Sequence, residues 1–487
     1  MNARVEGVEV DTRHWIGGRR VDSADRFDCI SPIDETVIAE VAAGGPAEID
    51  LAVESAAAAF ETWRRTGREE RAKALHRIAD VIESRIESLA VVETRDNGSL
   101  LRSHRRGVMP RVAYNFRFFA DWLLQLEHAD FDVRGHRNHV SWDPSGVAAV
   151  ITPWNAPLML GTWRIAPALA AGCTVVYKPP EWAPLTASLL ADVTAEAGLP
   201  DGVFNVVQGV GRQAGAALAR HPKIRRLSFT GSVATARQIA AAAGENLVPL
   251  SFELGGKSPY IVFADADLDL AVNTAIGQYD NAGQVCLAGT RLLIEEGIRD
   301  RFLAAFLAKA QAIRQGDPRD EATDIGPQIS RPHFERVDGF VQRALASGLR
   351  PALGGGPNRD LGGLYYRPTL FLGPPAGAEI LREEIFGPVL CLQSFRTEDE
   401  AVALANDTDY GLAAVVMTGD EQRAERVTSQ LSAGLVWNNC FFVRDLRQAF
   451  GGNGKSGIGR EGGNWSFDFY CDVKNSVYAP NGWRKHG

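Results

Sequence analysis

The sequence predicts an α/β protein with two mostly parallel sheets, and three observations lead there. Short apolar runs at Val147–Ile151, Thr174–Lys178, 204–207 and 226–229 alternate with Ala-rich helical segments, the rhythm of βαβ units. A second alternation of the same kind follows Glu253. The make-up is that of an ordinary globular chain, with 45% hydrophobic and 23% charged residues among 487, which excludes disorder, collagen, coiled coil and a disulfide scaffold. A chain this long is expected to hold more than one core, because single cores stop growing near ~250–300 residues.

In chain order, residues 49–63 read as an Ala-rich amphipathic helix, and 68–94 continue as helix. The stretch 144–163 lacks charge over a membrane-spanning length, but Pro144, Pro153, Pro157, Gly146 and Gly161 would break a lipid-exposed helix. It is expected to be buried strand and loop. Helices are expected between the first strands at 185–197, 211–220 and 233–243. Beyond Glu253, strands are expected at 259–263 and 291–294, and helices at 268–279 and 299–314. The last carries Phe302, Phe306 and Ile313 on one face, with Gly316 as its stop. Residues 132–142 and 470–477 alternate like strands, lie outside both units, and are expected to pair as a separate two- or three-stranded sheet.

The net charge of −8 speaks against nucleic acid or anionic membrane as a partner. Six scattered cysteines with no CxxC pair suggest reduced thiols. No HExxH or His/Cys cluster at zinc spacing occurs, so no metal is expected. The first residues have no apolar segment of a secretory signal, which makes the cytoplasm the expected compartment.

Several motifs compete for the chemistry. Two Gly-Lys-Ser tripeptides, at 256–258 and 454–456, lack the upstream glycine of a P-loop; Ser251 and Ala449 stand in its place. Gly209-Val-Gly211-Arg-Gln-Ala-Gly215 is one residue too long for a dinucleotide fingerprint and has no acid about twenty residues on. Lys178-Pro-Pro-Glu181 is a better candidate, since it closes a buried strand at the end where open α/β sheets bind ligands. Its lysine and glutamate could both bond ribose hydroxyls, and the carboxylate would repel a 2′-phosphate. A lone cysteine is usually inert core, but Cys286 lies between glycines. Glu253 is likewise followed by Gly255-Gly256, and Asn155 sits between Pro153 and Pro157. Three such polar residues at strand ends suggest a site.

Taken together, these motifs resemble those of the NAD(P)-dependent aldehyde dehydrogenases. The matching segments are Pro153-Trp-Asn-Ala-Pro157, Lys178-Pro-Pro-Glu181, Phe229-Thr-Gly-Ser232, Glu253-Leu-Gly-Gly-Lys257, Gly283-Gln-Val-Cys286, Glu383-Glu-Ile-Phe-Gly-Pro-Val389 and Ser456-Gly-Ile-Gly-Arg-Glu-Gly-Gly463. The resemblance implies the fold of that family: a Rossmann-like cofactor domain (1–124 and 146–252), an α/β catalytic domain (253–451) and a small β oligomerisation sheet. The arms 125–145 and 466–487 would form that sheet across a homodimer or homotetramer, and 452–465 would return to the cofactor domain. It further implies that Cys286 attacks an aldehyde, that Asn155 and the Cys286 N–H hold the oxyanion, and that Glu253 is the general base for thioester hydrolysis. Ile151, Thr152, Trp154, Lys178, Glu181, Gly211, Gly231 and Ser232 would line the cofactor groove, with Glu384 on the nicotinamide ribose and Phe386 near its ring. Glu181 favours NAD over NADP.

The substrate is expected to be a small-molecule aldehyde, and two arginines narrow it. Arg111, in Met109-Pro-Arg-Val-Ala-Tyr-Asn-Phe-Arg-Phe-Phe-Ala120, and Arg444, in Val443-Arg-Asp-Leu-Arg447, resemble carboxylate-binding arginines of the branch acting on hydroxymuconic, aminomuconic and carboxymethyl-hydroxymuconic semialdehydes. The Trp483-Arg-Lys tail fits the carboxymethyl-hydroxymuconic members, whereas the 452–455 loop matches less closely. An acidic conjugated semialdehyde is therefore expected. Whether Arg447 joins Arg444 stays open. The alternatives are a broad or neutral aldehyde dehydrogenase, a CoA-acylating variant (against which Glu253 argues) and a non-catalytic protein of the same fold.

Overall fold

A computed structural model describes residues 2–484; Lys485 of the C-terminal tail and the last two residues of the second arm lie outside the described residues. The first sheet has eight strands, in the order Gly457–Ile458, Leu250–Leu254, Ile224–Gly231, Val147–Ile151, Thr174–Lys178, Phe204–Val206, His14–Ile16 and Arg19–Val21. Its five central strands are parallel. Val147–Ile151 is buried at every residue, because helices cover both faces and alternate side chains enter different cores. Ala148 and Val150 pack into the core that holds Ile165 and Leu169; Val147, Ala149 and Ile151 enter the one that holds Ile49, Val53 and Ala56.

From Val147–Ile151 the chain winds outward through Thr174–Lys178 and Phe204–Val206. It then crosses back to lay Ile224–Gly231 on the other side of the starting strand. The order reverses between Val147–Ile151 and Ile224–Gly231, and a ligand crevice opens at the carboxyl ends of strands at such a point. The second sheet has seven strands, ordered Pro351–Leu353, Thr369–Leu372, Val389–Phe395, Arg291–Glu295, Pro259–Val262, Ala413–Met417 and Leu435–Asn438, parallel except at the first pair. The 252/253 division falls inside the strand Leu250–Leu254, which pairs with Ile224–Gly231 as far as Leu254.

Several expectations need correction. The 132–142 strand is a hairpin, Ala129–Val133 and His136–Pro144, turned by Arg134 (φ 53°) and Gly135 (φ 78°). Two successive left-handed residues make a turn that matches strand twist. Its long strand pairs with Cys471–Tyr478 of the same chain, Val473 opposite Trp142, so the pairing expected across a dimer is made within one chain. The 68–94 helix is two helices, Arg68–Ser84 and Ile86–Asn97, broken where Arg85 leaves helical geometry (φ −115°, ψ 14°). The 299–314 helix spans Glu296–Gln311, and Gly316 does not stop it. Instead Gln315 and Gly316 bridge to Ile325, which draws the chain out of helix earlier. The 268–279 helix ends at Ile276, after which Asn281 and Ala282 take left-handed conformations (φ 51° and 55°). Six short strands within residues 2–42 went unpredicted. Among the described residues no helix is long and apolar enough to cross a membrane.

Candidate active site

The topological crevice receives the residues proposed for the cofactor. Ile151 ends one strand and is followed by Thr152 and Trp154; Gly231 ends its neighbour and Ser232 caps the helix Val233–Gly244. The Ser232 hydroxyl accepts from Thr235 N at 3.2 Å, ordering a helix start whose N–H groups favour an anion. Lys178 closes the adjacent strand, and its Nζ lies 2.9 Å from Glu181 Oε2. Gly211 N donates to Glu181 Oε1 at 3.4 Å, where the helix expected at 211–220 begins as a single π turn, Gly211–Gly215. Burial depresses the Lys178 pKa. Burial also pushes the Glu181 carboxyl up, but the Lys178 ammonium and backbone N–H groups outweigh it and hold the carboxyl below its ordinary range. The pair thus offers an ammonium donor and an ionised acceptor side by side, which suits vicinal ribose hydroxyls.

Cys286 lies on the loop between residue 283 and the strand Arg291–Glu295. This loop is clasped too closely for side chains. A Cβ on Gly256 would stand 2.6 Å from the Cys286 carbonyl oxygen, and one on Gly283 would stand 2.1 Å from the Gly387 oxygen. Asn155 Nδ2 donates to the Gln284 carbonyl at 2.9 Å, and Asn281 Nδ2 donates to the Asn155 carbonyl at 3.3 Å. One amide hydrogen of Asn155 is therefore spent on fixing it to the cysteine loop, and its second is left for another acceptor. Burial pushes the Cys286 thiol up to about 12, Glu384 and Glu253 push the same way, and Arg444 and the residue's own N–H oppose them.

Glu253 is the penultimate residue of the strand Leu250–Leu254, and neither carboxyl oxygen has a hydrogen-bond partner among the described residues. Burial, and secondly the Glu461 carboxyl, hold its pKa well above the ordinary range. Glu461 is anchored by Arg164 Nη2 at 3.0 Å and by the Ser228 and Ser251 hydroxyls at 3.4 Å. Arg164 has no motif to mark it, and Glu461 lies within the matching segment 456–463 but is assigned no role by it. Glu384 Oε1 accepts from Gly256 N at 2.9 Å, and burial raises this carboxyl to about 7. Phe386 meets Trp154 edge-on at 5.3 Å. Ser456, the last residue of the second Gly-Lys-Ser tripeptide, donates its Oγ to the Gly255 carbonyl just before the first, at 2.7 Å.

Beside the thiol stands a cationic wall. The Arg111 guanidinium lies over the Trp163 ring at 5.2 Å and over Tyr114 at 5.6 Å. Arg444 lies over the same Trp163 at 5.5 Å, over Phe442 at 4.4 Å and over Phe450 at 5.7 Å. Arg111 Nε donates to Asn115 Oδ1 at 3.2 Å, its Nη2 is buried without a partner, and Arg444 has no hydrogen bond or ion pair among the described residues. Burial lowers both guanidinium pKa values, Arg444's to about 10. Asp445 is taken by Arg447, which grips it with two bonds of 2.8 and 3.0 Å on the surface. Arg447 therefore stays outside the wall. Trp163, the plate the two arginines share, was not singled out in the sequence; it is one aromatic residue in an uncharged run.

Residues 20–476 match the family model described as aldehyde dehydrogenase family. The chain is 44% identical to the 2-hydroxymuconic semialdehyde dehydrogenase of Pseudomonas sp. (strain CF600), over 96% of this chain and 99% of that protein. It is 42% identical to the 5-carboxymethyl-2-hydroxymuconate semialdehyde dehydrogenase of Escherichia coli, over 93% and 98%. Among solved structures, the indole-3-acetaldehyde dehydrogenase of P. syringae, in complex with NAD+, superposes with a TM-score of 0.95 at 37% identity, over 98% of each chain.

Proposed function

The chain belongs to the aldehyde dehydrogenase family, and from that membership we propose that it oxidises an acidic, conjugated semialdehyde to the carboxylic acid with NAD. The observation that carries the substrate is the pair Arg111 and Arg444, both over Trp163 and neither with a carboxylate partner among the described residues. Two desolvated guanidinium groups call for an anion, and a planar fork suits a carboxylate. The relatives named for muconic semialdehydes support the same reading.

Cys286 Sγ, after losing its proton to solvent or to a deprotonated Glu253, would bond to the aldehyde carbon while the carbonyl π pair moves to oxygen as an oxyanion. The free amide hydrogen of Asn155 and the Cys286 N–H would hold that charge. When bound, NAD supplies the acceptor for the hydride that leaves this carbon. A thioester on Cys286 remains, and Glu253, once deprotonated, would take a proton from the water that hydrolyses it. The fit of NAD rests on the Lys178–Glu181 pair, the capped helix start at Ser232 and the aromatic Trp154 and Phe386.

The deciding measurement is kcat/KM with NAD for a carboxylated muconic semialdehyde against benzaldehyde and a short aliphatic aldehyde. Preference for the acidic substrate is expected; equal values would favour a general aldehyde dehydrogenase. Two further outcomes follow from the geometry. Asn155→Ala should lower kcat by about 10²–10³-fold on every aldehyde, the cost of one oxyanion donor, which steady-state rates would check. Burial and Glu461 hold the Glu253 pKa well above the ordinary carboxyl range, so its base form grows as pH rises through that raised pKa. Thioester hydrolysis, followed in single turnover, should quicken with pH in the wild type and lose that dependence in Glu253→Gln.

A further inference from the structure

The helix Arg331–Ala346 turns one face toward the segment that carries Glu384 and Phe386. His333, Arg336 and Val337 lie at i, i+3 and i+4, so they share that face. The Phe386 carbonyl lies 2.7 Å from His333 Nε2 and can only accept, which places the ring proton on that nitrogen. Arg336 donates Nη1 to the Ile385 carbonyl, and Nη2 to the Glu384 carbonyl at 2.7 Å. Gly387 rests directly on the helix, since a Cβ there would stand 2.6 Å from Val337 Cγ2. Four consecutive residues, 384 to 387, are thereby fixed by one helix face.

The segment needs holding. Phe386 is left-handed (φ 61°), a strained conformation for a bulky residue that persists only where the surroundings enforce it. Its ring also forms a cluster with Trp154 at 5.3 Å and with His333 at 6.1 Å, while His333 and Trp154 lie 5.0 Å apart. Releasing the backbone would free the Phe386 ring and the Glu384 carboxyl together.

We propose that His333 and Arg336 are positioning residues, which hold Glu384 and Phe386 in the pose that receives the nicotinamide riboside by capturing three successive carbonyls. This rests on the reading that those two side chains face the cofactor. Nothing here asks either residue to touch substrate.

The test uses the full-length enzyme with His333→Leu, His333→Gln and Arg336→Met. It measures KM for NAD, KM for aldehyde and kcat, together with acyl transfer from a p-nitrophenyl ester to Cys286, which requires no cofactor. His333→Leu and Arg336→Met should each lower kcat/KM for NAD by about ten-fold or more, with KM for aldehyde and ester turnover close to wild type. His333→Gln keeps an N–H donor and should recover most of the loss. Unchanged NAD kinetics in both variants would overturn the proposal, and so would an equal loss of ester turnover, because the helix would then merely support the fold. Glu384→Gln and Phe386→Ala run alongside: if they too leave NAD kinetics unchanged, the cofactor-facing reading of the segment is what fails.

Discussion

Cys286→Ala should bring NADH formation from every aldehyde to below about 10⁻⁴ of the wild-type rate, in line with the loss of a covalent nucleophile, while NAD still binds. Ultraviolet absorbance of NADH reads the first quantity and quenching of tryptophan fluorescence the second, since Trp154 and Trp182 stand 6.0 Å apart at the crevice. No other thiol can take over. Cys29, Cys173, Cys391 and Cys471 are buried, and Cys440 is half-buried at the edge of the apolar core. Cys440→Ala is the matching control and should keep normal rates. Burial and the Glu384 and Glu253 carboxyls hold the resting thiol well above its ordinary range, so it is mostly protonated near neutral pH. Attack must therefore be coupled to loss of the thiol proton, and a residue without that sulfur has no substitute route. Residual NADH formation at a tenth of wild type would show that aldehyde oxidation here does not run through Cys286.

The parts of this arrangement that could be read in the sequence are those where backbone approaches backbone. Gly256 against the Cys286 carbonyl and Gly283 against Gly387 leave glycines beside polar residues, and that punctuation is visible in a linear string. The strand ends at Ile151 and Lys178 are visible too, because fully buried parallel strands are short apolar runs, whereas the run at 226–229 falls short of the strand Ile224–Gly231 at both ends. What stayed hidden depends on residues far apart in the chain. Trp163 becomes the shared plate of two arginines only after 111, 163 and 444 are folded together. Glu461 matters because it ends beside Glu253, and the grip of His333 on Phe386 spans 53 residues. The hairpin at 129–144 was missed for a local reason. Its turn is Arg134-Gly135, which lacks the Asn-Gly or Asp-Gly signal that marks most such turns. The strands of residues 2–42 were missed because pieces such as His14–Ile16 and Arg19–Val21 are three residues long and show no alternation.

Arg111→Ala should cost about ten- to 150-fold in kcat/KM on a carboxylated semialdehyde, the range for losing one charge-assisted hydrogen bond (~1.5–3 kcal/mol), and little on benzaldehyde. Arg444→Ala should behave differently, and the difference is the sharper test. Arg444 is the cation that opposes the upward push of burial on the Cys286 thiol; Arg111 is engaged by Asn115 and the Trp163 ring. Removing Arg444 should therefore take away a partner for the proposed substrate carboxylate and also push the thiol pKa up. Its loss should slow oxidation of neutral and acidic aldehydes alike, with an additional penalty on the acidic one. Alkylation of Cys286 by iodoacetamide separates the two contributions without any substrate: Arg444→Ala should be alkylated more slowly at a given pH, and Arg111→Ala at the wild-type rate. Both arginines flank one indole, at 5.2 and 5.5 Å, so the double variant should lose less than the sum of the singles on the acidic substrate, as expected for groups sharing a partner. If both single variants keep wild-type kcat/KM on the acidic semialdehyde, the arginines only pack the wall, and a general aldehyde dehydrogenase becomes the better reading.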